Sequence, residues 1–202
     1  MSIVRKVKAV EQLFNTLQDE INQFRDVTQL SCLTGCGKCC NKPDINASTL
    51  EFLPWAFQVF INGQSAEYLE KLENDKSGIC LLYQPLSIVS SNNGKCSDYA
   101  YRGLICRLFG YGARRDKLNQ LKMVSCRQIK ESQAEEFQKA EAAINEGLSI
   151  PIFTAYYMKL TRIDFRLANT IVPINRAMKI ALEEVLHYYA YRPLPKKNRH
   201  SA

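Results

Sequence analysis

Apolar residues recur at three- and four-residue steps along residues 2–27: Ile3, Val7, Val10, Leu13, Phe14, Leu17, Ile21 and Phe24. Lys6, Lys8, Glu11, Gln18 and Asp19 fall on the other faces. This period predicts an amphipathic helix packed on the body of the protein. Ser48 and Glu51 have the spacing of a capping box, which opens a helix over 48–61 carrying Leu50, Leu53, Phe57 and Phe60. Asn62-Gly63 stops it, and Pro54 either kinks it or shifts its effective start. Trp55, the single tryptophan, reads as a packing residue. A helix over 65–75 presents Tyr68, Leu69 and Leu72.

Helical periods return after residue 132. Residues 132–147 are rich in Ala, Glu and Gln and end at Gly147, as a helix of good formers does. Pro151 suits the first turn of the next helix, with Phe153, Tyr156, Tyr157, Leu160, Ile163 and Leu167 along one side. Pro173 opens a third, whose inward stripe is Ala177, Met178, Ala181, Leu182, Val185, Leu186 and Tyr189.

Between these helical parts, residues 77–127 have a different texture. Gly78 to Tyr83 is a short apolar run suited to a buried strand or a metal-anchored turn, ended by Pro85. Ser90 to Gly94 is a turn signal. A helical turn over 100–105 is expected to present Cys106 and Arg107. Residues 108–111 and 118–124, joined through Ala113 to Asp116, are expected to pair as a short β-hairpin. The fold expected is mainly α, with a small irregular, metal-anchored central region and at most that hairpin. The 202 residues suit a single domain over 1–191. Within it the sequence marks an N-terminal helix over 2–27, a cysteine-rich core over 31–127 and C-terminal helices over 132–191. The stretch 192–202 has four basic residues, two prolines and no acid, and is expected to be a disordered tail.

Eight cysteines change the picture. Cys32, Cys36, Cys39 and Cys40 fall within nine residues, interleaved with Gly35, Gly37 and Lys38; Cys80, Cys96, Cys106 and Cys126 follow. Thiolates are soft ligands for zinc, copper(I) and iron–sulfur iron. Cysteine can also serve as a small buried hydrophobe, but a polar, glycine-containing run is a poor core segment. A chain of this size buries a core without staples. No apolar signal run follows the basic start, and no stretch has the roughly 18 apolar residues of a membrane span. A cytoplasmic location is the default expectation, and in a reducing compartment the thiols point to metal. Export by an unusual route would instead favour four disulfides. His187 and His200 have no ligand spacing to the cysteines. Adjacent Cys39 and Cys40 are expected to point apart, so that they serve different metals, or one stands behind the other; a vicinal disulfide is the third option.

The net charge of +7 is concentrated. From Lys95 to Lys130 there are nine basic residues against Asp98 and Asp116, which equals the excess of the whole chain. Cations near thiols favour the thiolate. Eight thiolates on two divalent ions leave about four negative charges, which Arg and Lys can offset. A nucleic-acid surface and an ordinary solvated face are the competing readings.

The cysteine pattern is Cys32-x3-Cys36-x2-Cys39-Cys40, then Gly78-Ile79-Cys80, then Cys96-x2-Tyr99-x2-Arg102-x3-Cys106-Arg107, then Cys126. It resembles the YkgJ-like cysteine-cluster family, a CxxCxxCC-type domain described as chelating zinc or iron. The resemblance covers about residues 31–127. Two features depart from the family pattern: the first interval is three residues rather than two, and Gly103 stands where the family has proline. The resemblance implies that all eight cysteines are metal ligands, with zinc or iron, including an iron–sulfur cluster, as the cofactor. Arg102 and Arg107 are placed to donate to sulfur from behind the ligands, with pairing to Asp98 or Glu as the alternative. Tyr99 reads as a core residue behind the site.

Three functional readings follow. The first is a cytosolic metal-binding protein in which closed thiolate sites hold the central region together. The second is a metal-dependent enzyme, because the cysteine motifs resemble those of flagellin lysine-N-methylases; no glycine-rich fingerprint accompanies them. The third is a nucleic-acid-binding zinc module, motivated by the basic stretch, although the paired CxxC spacing of a zinc ribbon is missing.

Overall fold

The computed structural model describes residues 1–32, 35–86 and 93–194. It is mainly α, with nine α-helices and three two-stranded antiparallel sheets among the described residues. Ser90 to Asn92 of the Ser90–Gly94 turn signal and the tail beyond residue 194 lie outside them.

Helix α1 (Ile3–Thr28) buries Ile3, Val7, Val10, Phe14, Leu17, Ile21 and Phe24, nearly the whole expected stripe. It starts where the Ser2 side chain accepts from Arg5 N and ends at Gln29 in a left-handed conformation. Strand β1 (Asn46–Ser48) follows, then a 3-10 turn over Thr49–Phe52 and helix α2 (Leu53–Ile61). Pro54 sits in the first turn of α2, so it shifts the helix start rather than kinking it, as expected for a residue with no N–H to give. Helix α3 (Ser65–Asn74) comes next. Trp55 is fully buried with its ring edge-on to Tyr68 at 5.3 Å.

Strands β2 (Tyr83–Pro85) and β3 (Gly94–Cys96) form a hairpin with Tyr83 opposite Cys96. The Gly78–Leu82 run is a turn leading into β2 rather than a buried strand. A 3-10 turn over Tyr99–Tyr101 precedes helix α4 (Leu104–Leu108). Cys106 and Arg107 therefore lie inside a helix that begins after Gly103, not beyond a turn over 100–105. The next hairpin is also shifted from its expected place. Strands β4 (Gly112–Arg115) and β5 (Leu121–Val124) pair, and the turn is at Asp116, whose Oδ1 accepts from Leu118 N and Gln120 N. Leu108 belongs to α4, and Gly110 at φ +96 turns the chain between helix and strand.

Helices α5 (Arg127–Ser132) and α6 (Ala134–Asn145) follow, then α7 (Phe153–Ile163) and α8 (Phe165–Asn169). Pro151 stands outside α7, with its carbonyl accepting from Ala113 N. Asp164 divides α7 from α8: its carboxylate accepts from Leu167 N and pairs with Lys6 at 2.5 Å. Strand β6 (Ile171–Pro173) pairs with β1 across the chain, an element with no sequence signal, and leads directly into α9 (Ile174–Tyr189). The core is built from α1, α2, α7 and α9, with Leu53, Ala56, Leu160, Ala177, Met178, Ala181, Leu182 and Val185 all buried. Each large apolar side chain so buried contributes about 1.5–3 kcal/mol. No helix among the described residues is long and apolar enough to cross a membrane.

Candidate metal centre

The Cys32–Cys40 loop is held against the β2–β3 hairpin by glycines. Gly37 has φ +58, and a Cβ there would come 2.6 Å from the Gly94 carbonyl, so two backbones meet with no room for a side chain. Gly94 N donates to Gly35 O at 3.0 Å. A Cβ on Gly94 itself would strike the Tyr83 ring at 2.1 Å. These contacts bring the loop onto the strand that carries Cys96. Ser97 N donates to Leu82 O at 2.7 Å, which holds the Cys80 turn at the same end of the hairpin.

The other cysteine segments are fixed by side chains from distant parts of the chain. Cys32 N donates to Tyr111 Oη at 2.7 Å, and Gln133 both accepts from Ser31 N and donates to Ser31 O. Cys36 Sγ donates to Gln128 Oε1 at 2.8 Å. Cys126 caps α5 through its sulfur, which accepts from Ile129 N at 3.4 Å. Cys106 is carried by α4, and Glu51 Oε2 accepts from Ile105 N at 2.7 Å.

None of the eight cysteines is in a disulfide, so the disulfide options do not describe this structure. Their charges reach one another in one connected set. Cys32 is raised first by burial, then by Cys39, Cys36 and Cys126, while Arg102 opposes. Burial pushes Cys80 up to about 11 against the pull of the Leu82 N–H, and Cys96 adds to the rise. Cys96 is raised by burial, with Asp98 and Cys39 adding and the Asp98 N–H and Arg102 opposing. Cys106 is raised by burial first, then by Glu51, Cys80, Cys39 and Cys96. Cys39 and Cys40 do not point apart as expected: their sulfurs lie 3.9 Å apart. The shared hydrogen bond holds Cys39 low, whereas Cys40 is raised by that bond, by burial and by Cys39, Cys106 and Cys80. The Cys39 charge thus acts on Cys32, Cys40, Cys96 and Cys106 alike. Among the described residues no three His, Cys, Asp or Glu side chains are already gathered tightly enough to hold a metal ion. The thiols are electrostatic neighbours rather than a closed ligand shell.

The donor set fits a soft cation, and one buried atom fits it too. Arg102 Nε is buried without a hydrogen-bond partner, and the Arg102 charge acts on Cys32, Cys39 and Cys96. A buried donor left open is costly unless something completes it, and a thiolate is the available acceptor. Its guanidinium lies over the Tyr99 ring at 4.0 Å and donates to the Tyr99 hydroxyl. Tyr99 is 63% exposed, so it is not the core residue expected; it covers Arg102 from the solvent side. Arg107 turns away from sulfur. Its Nε donates to Arg102 O and its Nη2 to Ala100 O, with its guanidinium 4.6 Å over the Phe14 ring. Burial, then Arg102, lowers it to about 10. Neither arginine pairs with a carboxylate among the described residues. The basic stretch divides accordingly: Arg102 and Arg107 serve the cysteine region, while Arg114, Arg115, Lys117 and Lys122 are exposed around the β4–β5 hairpin.

Two contributors carry no ligand signature in the sequence. Glu51 reads there only as a capping-box residue, and Asn175 as one polar position in a helix. Glu51 is fully buried. Burial pushes it up to about 7 against the N–H groups of Ile105 and Ser48 and the Tyr157 hydroxyl.

The family described as "CxxCxxCC: Putative zinc- or iron-chelating domain" matches residues 31–143, more than half of the chain. No curated protein and no solved structure matches the chain.

Proposed function

The chain belongs to the CxxCxxCC zinc- or iron-chelating family, and from that footing we propose that it binds zinc or iron through all eight cysteines. The observation that carries this reading is the single connected set of eight thiols, with a buried and unpartnered Arg102 Nε beside it. Eight thiols divide into two groups of four. Cys32, Cys36, Cys39 and Cys126 form one, and Cys40, Cys80, Cys96 and Cys106 the other. Each group matches the four-thiolate count of a closed zinc or iron–sulfur site. Adjacent Cys39 and Cys40 would then belong to different groups.

When bound, the metal supplies cross-linking between segments far apart in sequence or, if it is an iron–sulfur cluster, one-electron chemistry. The protein's own part is to hold the thiols and to complete their outer hydrogen bonds. With metal bound, the open Arg102 Nε is the donor offered to a thiolate. Arg107 braces the Ala100–Arg102 turn that carries Arg102. Tyr99 shields the guanidinium. A reducing cytoplasmic compartment suits eight thiols outside disulfides.

The test is anaerobic purification with metal quantitation and an absorption spectrum. The reading expects about two zinc per chain with no colour, or several iron with a broad visible band. A folded monomer that holds neither metal after anaerobic reconstitution would sink it.

A further inference from the structure

Four buried polar or charged residues stand out among the described residues: Ser48, Thr49, Glu51 and Asn175. Ser48 and Thr49 donate their hydroxyls to Leu167 O and Thr170 O and lock the chain crossing between β1 and β6. Glu51 and Asn175 instead reach the peptide groups that flank two cysteines.

Glu51 joins two helix starts. Its Oε1 accepts from Ser48 N at 2.6 Å, the return half of its own capping box, and from Tyr157 Oη at 3.4 Å. Its Oε2 accepts from Ile105 N at 2.7 Å, one residue before Cys106. The carboxylate fits because residue 103 is glycine: a Cβ there would come 2.7 Å from Oε2 and 2.9 Å from the Phe52 ring. The missing family proline and the buried glutamate are thus one feature. Asn175, at the start of α9, brackets Cys80 from both sides. Its Oδ1 accepts from Leu81 N at 2.9 Å, and its Nδ2 donates to Ile79 O at 2.7 Å. The second Nδ2 proton goes to Asp75 Oδ2 at 2.8 Å. Asp75 in turn accepts from Ser77 N and Gly78 N. Asn175 therefore makes three of the four hydrogen bonds an amide can make.

Burying a carboxylate and an amide is expensive, and apolar residues of similar size would pack at lower cost. What apolar residues could not do is fix the peptide planes on either side of Cys80 and at the start of the Cys106 helix. We propose that Glu51 and Asn175 are positioning residues that set Cys106 and Cys80 as a pre-organised pair for the metal. The inference rests on the chelation reading. Asn175 lies outside the stretch the family matches, so the site extends into the C-terminal helices.

The experiment uses the full chain and two isosteric variants, Glu51→Gln and Asn175→Asp. Glu51→Gln replaces one acceptor by a donor. Asn175→Asp keeps the acceptor for Leu81 N, loses the donor to Ile79 O and sets a second carboxylate against Asp75. In metal-free, reduced protein, alkylation followed by peptide mass spectrometry reports each thiol separately. Alkylation of Cys106 is expected to rise several-fold in Glu51→Gln and that of Cys80 in Asn175→Asp, with Cys126 unchanged in both. Co(II) titration of the same proteins is expected to show affinity lower by about 10–100-fold, with a shifted thiolate-to-metal band. If Glu51→Gln does not fold, Gly103→Ala, which pushes on Oε2 from the other side, gives the same Cys106 readout. Unchanged alkylation at Cys80 and Cys106, or a uniform rise at all eight thiols with a lower melting temperature, overturns the proposal. The expected alkylation pattern in a chain that binds no Co(II) supports the positioning and overturns the chelation reading instead.

Discussion

Glu51 Oε2 accepts a 2.7 Å hydrogen bond from the backbone N–H of Ile105, across 54 positions of sequence. This one bond joins the helical core to the helix that carries Cys106. Each half of it requires the other: the carboxylate needs a glycine at 103 for room, and the first turn of α4 needs an acceptor for donors that no helix can satisfy internally.

The glycines of the cysteine loop give a graded prediction. Gly37→Ala must place a Cβ within 2.6 Å of the Gly94 backbone at a positive φ, and backbone cannot move aside as a flexible side chain can. The cost expected is about 1–3 kcal/mol or more, with lost metal binding, because the loop lifts from β3. Gly63→Ala also sits at a positive φ, +76, but meets nothing within 4 Å. It should lose only about 1 kcal/mol and bind metal normally. Chemical denaturation and metal quantitation of the two variants check the contrast; equal losses in both would refute it.

Chelation should separate the core from the centre. No cysteine is among the buried side chains of α1, α2, α7 and α9, and Cys80, Cys96, Cys106 and Cys126 only pack against the core from its edge, so most apolar contacts of these helices do not depend on metal. Stripping the metal under reducing conditions is expected to leave the helical circular dichroism intact. The cut sites in limited proteolysis should move into residues 31–44. Collapse of the helical signal would mean that the metal holds the core as well.

The split into two groups of thiols is open to single substitutions. Cys126→Ser should remove the metal of its own group and leave that of Cys40, Cys80, Cys96 and Cys106, lowering the metal per chain by about half. Cys96→Ser should do the reverse. Metal analysis of both, and of the double variant, decides it. Complete loss from either single change would point to one shared cluster.

The helices, their inward faces and the family pattern were legible because they depend on local periods and spacings. The stripe from Ile3 to Phe24 shows this best, since every member but Leu13 is fully buried. What was not legible depends on contacts between distant positions. Nothing near Ile171 announces that it will pair with Ser48, and Asn175 looks like any polar residue in an amphipathic helix until Ile79 and Leu81 are placed beside it. The β4–β5 hairpin was displaced for a local reason: the Asp116 side chain supplies the turn that Ala113 to Asp116 was expected to make. Tyr99 was misjudged because an aromatic ring can serve as a cover for a cation as well as a core filler.

Asp164 predicts an acid-sensitive joint between α1 and α8. Burial raises its carboxyl, but the Leu167 N–H, the Lys6 ammonium and Arg166 outweigh burial and hold it below the usual carboxylate range. A carboxyl lowered on folding stabilises the fold above its unfolded value near 4, and that contribution is lost as pH falls below it. Asp164→Asn keeps a cap acceptor for α8 and loses the charge. Its melting temperature is expected to lie below that of the parent at pH 7 and to close on it as pH falls from about 4 through the lower titration of the folded carboxyl. Parallel curves between pH 7 and pH 3 would show that the Lys6 pair contributes nothing.

Arg102 and Arg107 are five residues apart in the cysteine segment and are predicted to fail in different ways. Arg107 donates to Arg102 O and Ala100 O and covers Phe14. Arg107→Gln leaves two carbonyls and a ring face uncovered, so its loss belongs to stability, on the order of 1–3 kcal/mol. Arg102 has a buried Nε that nothing in the protein completes, and its charge faces Cys32, Cys39 and Cys96. Arg102→Gln removes that open donor together with the solvent-exposed bond to Tyr99 and a 3.5 Å contact to Gln18 Oε1. Its metal-free stability should change little, while its Co(II) affinity should fall by about 10–100-fold. Arg102→Lys keeps the charge but not the planar fork, and should recover only part of that affinity. Denaturation of the metal-free proteins, set beside Co(II) titrations of the same samples, separates the two roles. If Arg102→Gln binds Co(II) as the parent does, the open donor is not waiting for sulfur.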